Sequence, residues 1–400
     1  VQVGIVGKPN AGKSTFFSAA TLTAVPIANY PFTTIKPNHG ISYLRTKCVC
    51  KGLGVVDSPR NSKCVDGERF IPVELIDLPG LVPGAWEGRG LGNQFLDEVR
   101  KADALIHVVD ASGSTDSEGK LVPAGSHDPV EDVRFLEREL DMWMFQILRR
   151  EWEKISRQPD LTSDEVASAI ADRLSGTGVK RSHVEEGLRI AGLSGRPSAW
   201  PKEDLIRLVG LLRGFSKPIL LAGNKVDLPT SPANVEKLKQ LDALSVPVSA
   251  EAELALRRAV ERKLIQYKPG DRDFSVSEAS GLTPEQLAAL EMIRLRVLKP
   301  AGTTGVQDCI NAAFLRLLDM IVVYPVEDPE HLTDHSGNIL PDALLVSRGT
   351  TMGELASRIH TELGERFLYG VNARGGMRLG ETYELKDGDV VSIVSSAQRR

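Results

Sequence analysis

The chain has no apolar run approaching the length of a membrane span, which argues against a helical membrane protein. It has 4 cysteines, Cys48, Cys50, Cys64 and Cys309, too few to staple a 400-residue chain by disulfides. It has little net charge, −4, so any contact with nucleic acid must come from a local patch rather than from the whole protein. The sequence opens on the strand-like VQVGIVG, and a cytoplasmic protein without a signal peptide is the expectation. The hydrophobic fraction is an ordinary 42%. The length exceeds what one core supports, so two or three domains are expected.

The opening strand runs into GKPNAGKST, a G-x-x-x-x-G-K-[S/T] loop with Gly7, Gly12, Lys13 and Ser14 in their places. Glycines let backbone N–H groups curl around phosphates, and the following helix presents its positive N-terminus to them. Lys13 is the point charge for the β- and γ-phosphates, and the Ser14 hydroxyl is a hard oxygen ligand suited to Mg²⁺. Asn10, Ala11, Gly12, Lys13, Ser14 and Thr15 are the candidate phosphate-side residues.

Further along, VELIDLPGLV puts Asp77 and Gly80 at the end of another apolar strand. Such an Asp can hold Mg²⁺ through water, and the glycine N–H can sense a γ-phosphate. The strand PILLAGNKVD then delivers Asn224, Lys225 and Asp227. A carboxylate at Asp227 offers two acceptors for the N1–H and N2 amine of guanine, whereas adenine would leave it unpaired. Asn224 can tie this loop to the phosphate loop, and the Lys225 stem can lie against the base. VPVSAE adds Ser249 and Ala250, with a backbone amide for guanine O6. Each of these short motifs is weak alone; their order along the chain makes the set specific for a guanine nucleotide.

Between and around these motifs stand ANYPFTTIKPN, PRNSKCVDGERFIPVELIDL and LPGLVPGAWEGRGLGNQFL. These stretches resemble the Obg superfamily of GTPases, and PGAWEGRGLGNQFL looks most like its YchF branch. The resemblance implies that Thr34, rather than the neighbouring Thr33, completes the Mg²⁺ shell, and that Lys13, Thr34 and Gly80 form the catalytic set with Ser14, Thr34 and Asp77 as metal ligands. Several YchF-type members carry an altered fourth motif and prefer ATP; the intact Asn224-Lys-x-Asp227 here favours GTP and an archaeal or fungal type. Where Ras-like enzymes place a water-orienting Gln, this chain has Leu81, so slow hydrolysis is expected. Related loops use the Asn10 position to hold K⁺; a plain turn role for Asn10 is at least as well founded.

A strand at Ala104–Asp110 is followed only much later by the fourth motif, so a module is inserted near 112–216. Asp128, Pro129 and Glu131 mark a helix start, after which Val133, Leu136, Leu140, Met144, Ile147 and Leu148 recur at helical spacing. Thr162…Glu165 and Ser182…Glu185 mark further starts, with stops at Gly176 and Gly192. A helical insertion follows, and the resemblance implies a hairpin of coiled-coil character. Lys154, Arg157, Lys180, Arg181 and Arg189 are its candidate ribosome or RNA contacts, weighed against solvated helix faces, which the charge pattern favours. Trp143 and Trp152 read as core.

Cys48, Cys50 and Cys64 make a C-x-C plus one, with His39 upstream, but structural zinc asks for four ligands. Free buried or redox-responsive thiols are the favoured reading. Beyond Met320 the pattern turns to strands around a helix capped by Thr351 and Glu354, ending in the DGD turn before VVSIVS. This predicts a small β-grasp fold and resembles the TGS domain, which is associated with RNA or ribosome contact.

The expected architecture is an α/β P-loop GTPase domain with a doubly wound, mostly parallel sheet over 1–111 and 217–318, a helical insertion over 112–216 and a β-grasp domain over 319–400. The leading functional expectation is a Mg²⁺-dependent GTP switch acting in translation or at the ribosome. An ATPase of the YchF type, or a protein-recruiting module in which hydrolysis is incidental, are the alternatives.

Overall fold

The computed structural model describes residues 1–21, 38–81, 84–87, 92–157, 161–277 and 281–396. Thr33 and Thr34 lie outside them. The described residues fall into two compact units, the first holding Val1–Ala24, Pro37–Gly40 and Glu74–Cys309, the second Ile41–Val73 and Ile310–Arg400.

The first unit is built on parallel strands in the order β4 (Glu68–Asp77, which enters from the second unit), β1 (Gln2–Val6), β5 (Ala104–Asp110), β6 (Ile219–Asn224) and β7 (Ser245–Pro247). Every residue of β5 is buried, as a central strand covered on both faces requires. The helix α1 (Lys13–Thr21) leaves β1 through the phosphate loop and packs on α9 (Ala250–Glu261), which follows β7. The strand β6 ends on the fourth motif and leads into α8 (Ser231–Lys239). The α/β expectation holds.

Burial on β5 has a pH consequence. His107 is 3% exposed, its Nδ1 has no partner, and burial with the nearby Lys8 charge pushes its pKa from 6.5 down to about 3. The folded chain therefore keeps this ring neutral where the unfolded chain protonates it. Stability is full above about pH 6.5 and falls on acidification by about 1.4 kcal/mol per pH unit until the folded pKa is reached. Urea titrations from pH 7.5 down to 4.5 should show that slope, and His107→Gln should flatten it.

The inserted helices are α4 (Pro129–Ser156), α5 (Ser163–Leu174), α6 (Arg181–Ala191) and α7 (Lys202–Ser216); α3 (Gly92–Lys101) precedes β5. Asp128 caps α4 by accepting from the Val130 N–H at 3.1 Å, with Pro129 in the first turn. Thr162 and Glu165 form the expected capping box of α5. The start of α6 falls at Lys180, ahead of the Ser182 signal, because the His183 ring accepts from the Lys180 N–H. The stop beyond α5 is Gly178, at φ 81, rather than Gly176.

These helices do not form a long hairpin. The helix α4 packs on α5 and α7, and α6 on α5 and α7, in a compact cluster. At 12 and 11 residues, α5 and α6 are too short to line the 28-residue α4 as one partner. Leu136, Leu140, Met144 and Leu148 of α4 meet Ile170, Leu208 and Leu212 in a core that continues into Leu78 and Leu105 beneath the sheet. Trp143 is in that core, 7% exposed. Trp152 stacks on Trp200 with ring centroids 5.8 Å apart. Of the basic candidates, Arg157, Arg181 and Arg189 pair with Glu153, Glu185 and Glu186 on their own helices, as solvated helix faces do.

After α9 come a short hairpin of β8 (Ile265–Gln266) and β9 (Ser275–Val276), then α10 (Pro284–Ile293), which runs through a π-turn at Arg294–Leu298 into α11 (Lys299–Ala301). The helix α12 (Val306–Ala312) spans the boundary between the units and is followed by a second π-turn, Ala313–Leu317, in the second unit.

In the second unit, β10 (Met320–Val326), β11 (Leu344–Ser347), β12 (Phe367–Asn372), β13 (Arg378–Leu379) and β14 (Val390–Ser395) form a sheet in the order β11-β10-β14-β12-β13. The β10–β14 pairing is parallel, and α13 (Met352–Ile359) with α14 (Thr361–Glu365) completes a β-grasp unit. Its core holds Ile321, Val323, Val346, Leu355 and Val391. Residues 41–73, with most of β2 (His39–Lys47), α2 (Cys50–Leu53) and the β3 (Lys63–Val65) to β4 hairpin, pack in this same unit. The fully buried Arg69 donates to the Leu340 carbonyl at 2.6 Å.

Candidate nucleotide site

The phosphate loop needs its glycines for close approach as well as for conformation. Gly12 has φ 94, and a Cβ there would lie 2.1 Å from Asn224 Nδ2; at Gly7 it would lie 2.5 Å from the Val108 carbonyl. The loop is thus clamped between β5 and the fourth motif. Lys13 Nζ sits 2.6 Å from Asp77 Oδ1, which brings the candidate phosphate-binding cation and the candidate Mg²⁺ carboxylate to one point. Ser14 stands exposed at the first turn of α1, and Gly80 follows Asp77 beside Pro9.

Asn224 joins the two halves. Its Nδ2 donates to the Ala11 carbonyl at 2.9 Å, and its Oδ1 accepts from the Ala250 N–H at 3.0 Å. The Ala250 N–H, read from the sequence as a donor to guanine O6, therefore has an acceptor within the chain. Asp227 Oδ1 accepts from Ser249 Oγ at 2.7 Å, which orients the carboxylate. Lys225, at φ 67, places its ammonium 2.9 Å from the buried Asp110 Oδ2, so the pair pins the loop to the end of β5. Burial pushes the Asp110 carboxyl up, but donors from Ser112, Lys225 and Thr115 outweigh it and hold it below the usual carboxylate range.

Several supports were not found from the sequence. Lys8, 4% exposed, pairs with Asp132 of α4 at 2.8 Å and donates to the Thr115 carbonyl at 2.8 Å. Asp132 also meets His127 Nε2 at 2.8 Å. Glu139 of α4, 5% exposed, accepts from the Gly84 and Trp86 N–H groups at 3.0 and 3.1 Å, so α4 holds the chain just beyond Gly80. Asn10 has φ 61 and donates its amide to the Gly119 carbonyl at 2.9 Å, a turn role. No local motif marks Lys8, Asp132 or Glu139, because the Lys8–Asp132 pair and the Glu139 contacts join residues more than fifty positions apart. Asp110 carried a faint signal, as an acid closing an apolar strand ahead of Ser112, Ser114 and Thr115.

Leu81 is 3% exposed and belongs to the core with Val6, Leu78 and Phe95. Its position serves packing, and a Gln there would bury an amide.

Residues 2–136 match the family model of the 50S ribosome-binding GTPase, residues 222–328 that of the Obg-like GTPase YGR210-like, G4 motif-containing domain, and residues 336–395 that of the TGS domain. An uncharacterized GTP-binding protein of Methanocaldococcus jannaschii is 49% identical, covering 99% of this chain and 100% of that one. A ribosome-binding ATPase YchF of Mycoplasma genitalium is 31% identical over 74% of this chain and 77% of its own. The crystal structure of a GTP-binding protein from Pyrococcus horikoshii OT3 matches with a TM-score of 0.77 and 39% identity, covering 99% of this chain and 100% of that one. With its phosphate loop, intact guanine motif and C-terminal β-grasp unit, the chain belongs to the YchF-type family of Obg-like GTP-binding proteins.

Proposed function

We propose that this chain is a Mg²⁺-dependent GTPase of low intrinsic rate, a cytoplasmic switch that acts in translation or at the ribosome. The observation that carries the GTP part is the clamp of Asn224 on Ala11 and Ala250 beside an Asp227 oriented by Ser249. That carboxylate has the acceptors guanine needs and would be left unpaired by adenine. Lys13 would bind the phosphates, and Ser14 with Asp77 would hold Mg²⁺, with Thr34 as third ligand by family likeness. Mg²⁺ would neutralise charge on the β- and γ-phosphate oxygens. The chain's own part is to hold the phosphates at Lys13, to sense the γ-phosphate through the Gly80 N–H, and to keep Leu81 packed away from the reacting water. Unassisted hydrolysis on the order of 10⁻⁴ to 10⁻² s⁻¹ follows from the missing Gln.

A second reading, hydrolysis of ATP, is favoured by the relative named as a ribosome-binding ATPase. Competition of ATP and GTP for a fluorescent GDP analogue separates the two. GTP should win by at least roughly 100-fold on the hydrogen-bond argument; equal competition sinks the guanine reading. The ribosomal part rests on that same relative's name and on the TGS likeness. Co-sedimentation with ribosomes in a non-hydrolysable GTP analogue but not in GDP is the expected result, and absence in both states removes it. A role for Asn10 in holding K⁺ requires its amide to leave Gly119; equal rates in KCl and NaCl would dispose of it.

A further inference from the structure

Cys48, Cys50 and Cys64 converge in the second unit with a fourth residue that the sequence did not suggest, Asp57. The three Sγ atoms and an Asp57 carboxylate oxygen all lie within 4.8 Å of one another. Cys50 Sγ is 3.9 Å from Cys64 Sγ, and Cys48 Sγ is 3.2 Å from Asp57 Oδ2. A tetrahedral zinc site with Zn–S near 2.3 Å has ligand–ligand edges of roughly 3.8 Å. The 3.2 and 3.9 Å separations bracket that edge, and the widest pair needs to close by only about 1 Å.

The backbone holds the four in place. Cys48 follows β2 and donates its N–H to the Gly67 carbonyl at 2.9 Å, which ties it to the β3–β4 hairpin. That hairpin turns on Asp66 and Gly67, both at positive φ (55 and 79), and carries Cys64 opposite Arg69. Cys50 opens α2, which Gly54 closes at φ 68 before the chain runs to Asp57. Cys48 and Cys50 are 6% and 4% exposed, the Asp57 side chain is 8% exposed, and Cys64 is half-buried, so one side of the cluster is open to incoming metal. His39, the fourth ligand considered from sequence, is elsewhere, paired with Glu74 at 2.7 Å.

A carboxylate is costly to bury beside thiols, and among the described residues a single buried cation faces it. Arg69, fully buried, sets Nη1 3.2 Å from Asp57 Oδ2. Three thiolates and one carboxylate around a dication leave two negative charges, and Arg69 takes one of them. We propose that Cys48, Cys50, Asp57 and Cys64 form a structural site for a thiophilic divalent cation, with zinc the ion of best fit by ligand softness and tetrahedral spacing. Binding replaces three S–H bonds by metal–sulfur bonds, and the three protons go to buffer. The site is built from residues of the second unit and does not depend on the GTPase reading.

The test uses the full chain, reduced, stripped of metal and titrated with Co²⁺. Thiolate-to-cobalt charge-transfer absorbance saturating at one equivalent, then bleached by Zn²⁺, is expected. Cys64→Ser should weaken Co²⁺ binding by at least roughly 100-fold and Asp57→Asn by at least roughly 10-fold. Cys309→Ser, which removes a thiol that is not in the cluster, should bind as the parent does, and far-UV circular dichroism with thermal unfolding reports folding of each variant. Asp57→Asn keeps all three thiols and covers the case in which Cys64→Ser does not fold. Absence of the charge-transfer band, unaltered binding in both variants, or a Cys50–Cys64 disulfide that persists in reduced, zinc-supplemented protein overturns the proposal.

Discussion

Asp227→Asn should lose GTP affinity by about 10³-fold and gain affinity for xanthosine triphosphate. The carboxylate is where guanine differs most from other bases: it accepts from N1–H and N2–H together, and an amide replaces one acceptor by a donor. A buried donor facing a donor costs several kcal/mol, roughly the 10³-fold expected. Xanthine carries a carbonyl where guanine has its N2 amine, so the Asn amide regains a partner. Ser249 Oγ, 2.7 Å from Asp227 Oδ1, can hold the Asn carbonyl oxygen in the same place, so the pocket keeps its shape. Binding isotherms with labelled GDP and XDP check the result. Unchanged GTP affinity would mean that the base lies elsewhere.

The second large effect concerns stability. Lys8→Met removes the cation that Asp132 meets at 2.8 Å in a region where the two side chains are 3% and 5% exposed. Breaking a buried pair from one side costs about 3–5 kcal/mol, because the other charge loses its ammonium and keeps only the His127 contact. A fall in Tm of roughly 10 °C is expected for a unit of this size. Asp132→Leu added to Lys8→Met should restore much of the loss, since no buried charge is then stranded. Denaturation of the four chains of this cycle gives the coupling directly; additive losses would show that the pair contributes nothing as a pair. Burial pushes the Asp132 carboxyl up against the opposing influence of Lys8 and His127, so loss of Lys8 also favours its protonated form.

The two cases differ in how visible they were. Asp227 belongs to a motif of contiguous residues on one strand end, where spacing alone carries the chemistry. The same is true of Gly7, Gly12, Lys13 and Asp77, and of the caps at Asp128, Thr162 and Thr351, whose partners are within three residues. Capping and loop curvature are short-range, so a linear reading reaches them. The arrangement of the inserted helices was not legible for the opposite reason. Helical spacing reports that a face is apolar but not what covers it, and α4 is covered by α5, α7 and the sheet core.

The cysteines show the same limit at finer scale. A C-x-C with one further Cys is incomplete as a ligand set, and an Asp between Gly54 and Pro59 reads as a loop residue. Only the closure of the β3–β4 hairpin on Cys48 turns Asp57 into a neighbour of three sulfurs. By itself, the amino-acid order determined the nucleotide-binding class, the base preference to be tested and the β-grasp end of the chain, because each resides in a local run of residues. Tertiary structure alone decided that Lys8 and Glu139 reach across to anchor the phosphate loop and the segment beyond Gly80, that Leu81 is packing, and that three sulfurs and a carboxylate gather at one point. Those properties depend on separations in space between residues far apart in sequence, and no local pattern records them.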